Sequence, residues 1–176
     1  GGLDPTVIIG TKLKEFKNKN FRAGESRYMV LEADEYRGAF WHYSPSVAIV
    51  LNIDAEHLDF YRNLTDIKKS FVKFLSNIRE GGLLVLNKDD ANIYSLKKTI
   101  EGIAKRKKAD VIWYSRKMSI ARQIEKHISI PGDHNISNAL AAYHAANDLG
   151  VPQKYIFATV KAYQGAWRRM EKRGAY

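Results

Sequence analysis

Between residues 28 and 114 the sequence keeps changing its hydrophobic period, and that alternation constrains the fold more than any other feature. Residues 28–32 (Tyr-Met-Val-Leu-Glu) and 47–53 (Val-Ala-Ile-Val-Leu-Asn-Ile) are short apolar runs rich in β-formers, the pattern of strands buried on both faces of a parallel sheet. From Thr65 to Glu80 the period becomes helical: Ile67, Phe71, Phe74, Leu75 and Ile78 share a face, Thr65 is a suitable N-cap and Gly81-Gly82 a natural stop. Leu83–Leu86 reads as a third strand, Asp89-Asp90 opens a helix toward Glu101, and Asp110–Tyr114 reads as a fourth strand. An Ala-rich helix from Asn135 to Leu149 is closed by Gly150, and Pro152 starts another that runs to Tyr163. Strands alternate with helices, with no repeat, low-complexity tract or linker. The expectation is one α/β domain with a mainly parallel sheet flanked by helices.

At 176 residues and 45% apolar, the chain can fill one core, and no run approaches the roughly 18 apolar residues of a membrane span. Gly1-Gly2-Leu3-Asp4-Pro5 has neither a basic start nor an apolar h-region, so a soluble protein without a secretory signal is expected. The absence of Cys excludes disulfides, thiolate zinc sites and Cys nucleophiles, and is compatible with a reducing cytoplasm. Lys and Arg number 29 against 19 Asp and Glu, a net +10, but the charge is segregated. Residues 32–66 hold seven acids and two bases, whereas 97–126 hold ten bases and three acids. An acidic island in a basic chain suits nucleic acid, or a phosphorylated ligand held between cationic groups and a carboxylate-bound metal; solvated helix faces account for much of the Lys-rich stretch as well.

In open α/β sheets, ligands gather at the carboxyl ends of strands. That rule selects Glu32-Ala33-Asp34-Glu35 after the first run and Asn52-Ile53-Asp54-Ala55-Glu56-His57-Leu58-Asp59 after the second. Carboxylates crowded together repel unless a cation or Arg joins them, and carboxylate oxygens with one imidazole suit Mg²⁺ or Mn²⁺. If the two strands are neighbours, Glu32 and His57 lie side by side as a divalent-metal site; a solvated acidic loop and a structural His are the alternatives. Pro131-Gly132-Asp133-His134-Asn135-Ile136-Ser137-Asn138 leads a Gly turn into a helix whose first turn carries His134, Asn135 and Asn138, suited to a nucleotide or to simple capping. Arg168-Arg169 follows Gln164-Gly165 and suits phosphate, or is a surface pair. No G-x-S-x-G and no G-x-x-x-x-G-K-[ST] loop occurs in the 176 residues.

In order and spacing these stretches, with Gly2-Leu3-Asp4-Pro5-Thr6 and Gly24-Glu25-Ser26-Arg27-Tyr28, resemble the central, ATP-binding domain of the Mur ligases across nearly the whole chain. They are most similar to the branch that joins L-alanine to UDP-N-acetylmuramate. The resemblance implies a P-loop NTPase-like fold, ATP and Mg²⁺ as cofactors, and a cytoplasmic step of wall-precursor synthesis. In that chemistry a muramyl carboxylate attacks the γ-phosphate of ATP, and the amine of L-alanine then displaces phosphate from the acyl phosphate. It further implies that Glu32 ligates Mg²⁺ near the nucleotide phosphates and His57 a second Mg²⁺, with Glu56 assisting. His134, Asn135 and Asn138 would contact the nucleotide and Arg169 its phosphates, making Glu32, His57 and Arg169 the catalytic set; Asp34 and Glu35 receive no individual role.

Four departures stand out. The family's phosphate-binding loop, with its Lys and its Mg²⁺-ligating Thr, precedes the Gly-Leu-Asp-Pro-Thr stretch, and here that stretch comes first. The N-terminal UDP-binding and C-terminal amino-acid-binding domains are also missing, so residues 1–176 are expected to be an N-terminally incomplete central domain that forms no amide bond alone. Phe71 stands near the position where many members carry a carbamylated Lys, and Met170 stands where Phe or Leu is usual. The runner-up is the branch that reattaches murein peptides to the UDP-sugar. A basic, non-catalytic nucleic-acid-binding module is the alternative from another class, weakened by the acids around Glu32 and His57 and by the lack of a nucleic-acid motif.

Overall fold

The computed structural model of the chain describes residues 2–166. Its strands fall into two three-stranded sheets rather than one. In the first, β1 (Thr6–Leu13) runs antiparallel to β2 (Lys19–Arg22) and parallel to β3 (Met29–Leu31). The second is wholly parallel, with β4 (Val47–Val50), β5 (Leu83–Asn87) and β6 (Asp110–Tyr114) in that order.

The parallel sheet carries the core. Within β5, Leu84 and Leu86 enter a cluster with Phe40, Ile53, Ile67, Phe74 and Ile100, while Leu83 and Val85 enter another with Tyr114, Ile124 and Leu140. Successive side chains of a strand point to opposite faces, so a continuous apolar run is what a strand covered on both sides requires. Helices α1 (Leu64–Leu75), α2 (Ala91–Ser95) and α3 (Lys97–Lys107) contribute to the first cluster. Helices α4 (Ser119–His127), α5 (Asp133–Asp148) and α6 (Gln153–Ala162) contribute to the second. Gly82 lets β5 start close under the preceding loop: a Cβ there would sit 2.7 Å from the Ser46 carbonyl oxygen. No helix among the described residues is long and apolar enough to cross a membrane.

Two expectations are corrected. The run at residues 28–32 is not buried on both faces: Met29 is 59% and Val30 51% exposed, because β3 lies beside β1 in the small sheet and not in the core. For the same reason the strands preceding Glu32 and His57 are not neighbours, so adjacent strand ends do not place those two side chains together. A 3-10 segment, Tyr36–His42, kinked at Arg37 and Gly38, carries the chain from β3 back to the core, where Phe40 stacks on Phe74 with ring centroids 4.8 Å apart and meets Phe71 edge-on at 5.2 Å. Phe71 is thus a packing residue of α1.

Candidate functional site

The carboxyl ends of the three parallel strands open onto a cleft of about 320 Å³. Leu51 and Asn52 enter it from beyond β4, Asn87, Asp89 and Asp90 from the end of β5, and Arg116 from beyond β6. The first turn of α5 closes it with Asp133, His134, Ser137 and Asn138. Three side chains set its floor: the Asn87 amide donates to the Leu51 carbonyl at 2.9 Å and so ties β5 to β4; Asp90 caps α2 by accepting from Ile93 N–H at 2.7 Å; Asp89 accepts from Ser115 Oγ–H at 2.7 Å and Arg116 N–H at 2.8 Å. Burial pushes the Asp89 carboxyl up, but the bonds from Ser115 and Arg116, with the charges of Arg116 and Lys117, outweigh it and leave the group below the usual carboxylate range. Arg116 pairs with Asp133 across the rim at 2.5 Å.

Helix α5 aims its N-terminus at this cleft, presenting free N–H groups and the positive end of its dipole. Gly132, at φ 105°, makes the turn; a Cβ there would lie 2.7 Å from the His134 ring. Of the three residues expected to meet a nucleotide, His134 and Asn138 line the cleft, whereas Asn135 does not: its amide donates back to the Pro131 carbonyl at 2.6 Å. Asn87, Asp89, Asp90, Arg116 and Ser137 were not singled out by sequence for this role. Their shared signal was available, since all but Ser137 lie at or just beyond the ends of core strands.

A second constellation brings the loop after β4 to the segment after β3. Glu35, Glu56 and His57 each offer a ligand atom, all within 4.8 Å of one another. His57 Nε2 is 3.0 Å from Glu35 Oε1, its ring lies 4.9 Å from that of Tyr36, and Tyr36 O–H donates to Asp59 at 2.9 Å. His57 holds φ 54°, a left-handed conformation that costs a non-glycine residue energy and clusters at functional sites. The Glu35 and Glu56 carboxylates so close repel unless a cation joins them; His57 meets Glu35 as a hydrogen-bond partner, and the three together are a donor set that fits Mg²⁺ or Mn²⁺ with positions left for ligand oxygens. The partner that comes to His57 and Glu56 is Glu35, not Glu32. Glu32 Oε2 accepts from Gly10 N–H of β1 at 2.6 Å, which anchors it to the small sheet. Arg169 lies outside the described residues.

Residues 13–146 match the model of the Mur ligase middle domain. The chain belongs to the Mur ligase family. It is 36% identical over 189 aligned residues, 98% of its length, to the UDP-N-acetylmuramate–L-alanine ligase of Caldicellulosiruptor saccharolyticus, and 37% identical over 186 to that of Clostridium novyi. It spans about 40% of the length of these curated relatives. Solved Mur ligases share its fold. Over 95% of this chain and 60% of the other, it superposes on the UDP-N-acetylmuramate:L-alanyl-γ-D-glutamyl-meso-diaminopimelate ligase of Neisseria meningitides, with a TM-score of 0.73 and 22% identity. Over 99% of this chain and 42% of the other, it superposes on the UDP-N-acetylmuramate-alanine ligase of Thermotoga maritima, with a TM-score of 0.70 and 20% identity.

Proposed function

We propose that these residues form the nucleotide- and cation-binding part, a single central domain, of an ATP-dependent ligase that joins L-alanine to UDP-N-acetylmuramate in the cytoplasm. The observation that carries the reading is the cleft at the carboxyl ends of β4, β5 and β6, closed by the first turn of α5, in a chain whose relatives at 36% identity are L-alanine ligases. In the reaction, the sugar carboxylate attacks the γ-phosphorus of ATP, giving an acyl phosphate and ADP. The amine of L-alanine then attacks the acyl carbon, loses a proton and expels phosphate.

Phosphoryl transfer is mainly positioning and charge neutralisation. His134 and Asn138 would orient the nucleotide, helped by the α5 N-terminus, while Asn135 acts only through the loop it braces. Arg169 would neutralise phosphate charge. Glu35, Glu56 and His57 would hold Mg²⁺, and Glu32 remains the candidate ligand nearer the nucleotide phosphates. A divalent cation held by these three side chains would supply charge neutralisation for phosphoryl transfer.

The test is an assay of the full gene product. ATP hydrolysis should require both UDP-N-acetylmuramate and L-alanine, and His57→Ala should abolish it while also abolishing Mn²⁺ binding by the purified protein. Equal turnover with a murein tripeptide in place of L-alanine would move the protein to the peptide-recycling branch, and turnover indifferent to UDP-N-acetylmuramate would defeat the proposal.

A further inference from the structure

We infer that Tyr61 and Ser70 are positioning residues for the Glu35–Glu56–His57 trio, an inference that rests on reading the trio as a cation site. Tyr61 holds two of its members at once. Its amide N–H donates to the His57 carbonyl at 2.9 Å, closing the turn that carries the imidazole, and its phenol donates to the Glu35 carbonyl at 2.5 Å. The turn after β4 and the segment after β3, whose strands belong to different sheets, are thus tied together at the backbone of Glu35, beside the side-chain links of His57 to Glu35 and Tyr36 to Asp59.

The phenol is in turn held by α1. Ser70 Oγ lies 2.9 Å from the Tyr61 oxygen and 2.9 Å from Trp41 Nε1, and Tyr61 and Ser70 are only 5% and 4% exposed. The chemistry of the ends fixes the direction of the whole chain. An indole N–H can only donate and a peptide carbonyl can only accept. Trp41 therefore donates to Ser70, Ser70 to Tyr61 and Tyr61 to Glu35, with every hydroxyl proton used. Such one-way chains polarise and strengthen along their length when buried. Serine is not a favoured residue inside a helix, since its hydroxyl tends to compete with the backbone; here that hydroxyl is spent on the two tertiary partners. Trp41 lies near the far end of the 3-10 segment that begins next to Glu35, and Asn77, just beyond α1, donates to the Trp41 carbonyl at 2.7 Å, so Ser70 and Asn77 together hold that end.

Partners that orient a metal ligand without touching the ion are worth about 10–100-fold in affinity. The test is calorimetric titration of Mn²⁺ into the 176-residue chain at 25 °C, with melting temperatures taken in EDTA. Tyr61→Phe keeps the ring and deletes the phenol; Ser70→Ala breaks the chain one step earlier and leaves Trp41 the Ser70 carbonyl at 3.2 Å. Each should weaken Mn²⁺ binding about tenfold. The double variant should bind no more weakly than Tyr61→Phe, because both act through one path. His57→Ala should abolish binding. Wild-type affinity in Tyr61→Phe and Ser70→Ala, with lowered melting temperatures in EDTA and binding still His57-dependent, would mean that the chain only holds the fold. That would overturn the inference and leave the cation reading standing. No uptake by the wild type, or uptake unchanged in His57→Ala, would overturn both. Should Tyr61→Phe not fold, Ser70→Ala decides alone.

Discussion

Tyr114 shows how much a single residue can say about the cleft that the sequence does not. It ends β6 fully buried, and its phenol makes no hydrogen bond to a described residue. Burial pushes it up to about 12; the nearby Ser137 hydroxyl pulls the other way, and the Asp89 and Asp90 charges add to the rise. A raised tyrosine contributes stability that is complete below its ordinary value of 10.0 and is lost as pH rises toward the folded value. Denaturant titrations should therefore show stability falling between pH 10 and 12, and Tyr114→Phe should flatten that limb. At neutral pH the same variant should be near neutral or stabilising, since it removes an unpaired buried polar group. A steep alkaline limb in Tyr114→Phe would refute the assignment. At this scale His57, Glu56, His134 and Asn138 were legible, because each follows a Gly turn or an apolar run and carries the right donor. Glu35 stood in the same acidic tetrad as Glu32, but only the path of the 3-10 segment decides which carboxylate reaches His57.

Among the elements, those with a long clear period were legible and those decided by local chemistry less so. Helix α1 follows its apolar face, yet its cap is Asn63, which accepts from Asp66 N–H at 3.1 Å, and not Thr65 two residues later. Both are good caps, and the choice falls on the residue whose backbone is extended, with φ −169°. Asn63→Ala should lower stability by about 1 kcal/mol in urea unfolding, and Asn63→Asp should leave it nearly unchanged. The helix stops at Leu75, although the apolar period continues to Ile78: Ser76 N–H still reaches the Val72 carbonyl at 3.0 Å, but the Asn77 and Ile78 N–H groups bond only three residues back, to Phe74 and Leu75. Strands β1 and β2 and helix α4 had no clear sequence signal. The small sheet exposes Ile8 and Phe21 and has no strand covered on both faces, while α4 offers only Ile120, Ala121 and Ile124 as apolar contacts in nine residues.

The whole molecule is organised around β5, whose side chains feed both core clusters. Leu86 is fully buried in the cluster beneath α1 and α3, so Leu86→Ala should cost roughly 2–5 kcal/mol in chemical denaturation, and Leu86→Met much less. A loss confined to the solvent-facing Val30→Ala, with Leu86→Ala silent, would contradict this placement of the core. The sequence by itself determined the α/β class, the parallel strands that open at Val47, Leu83 and Asp110, the family, and the two loops that carry the candidate ligands. Those follow from local period, from donor chemistry and from the rule that strand ends face the cleft. Only the tertiary structure decided that the strands divide into two sheets, that Glu35 replaces Glu32 beside His57, and that Tyr61 and Ser70 stand behind them. The contacts behind the last two join residues 9 to 29 positions apart, and neither period nor propensity carries information about which distant loops meet; packing of the 3-10 segment on α1 does.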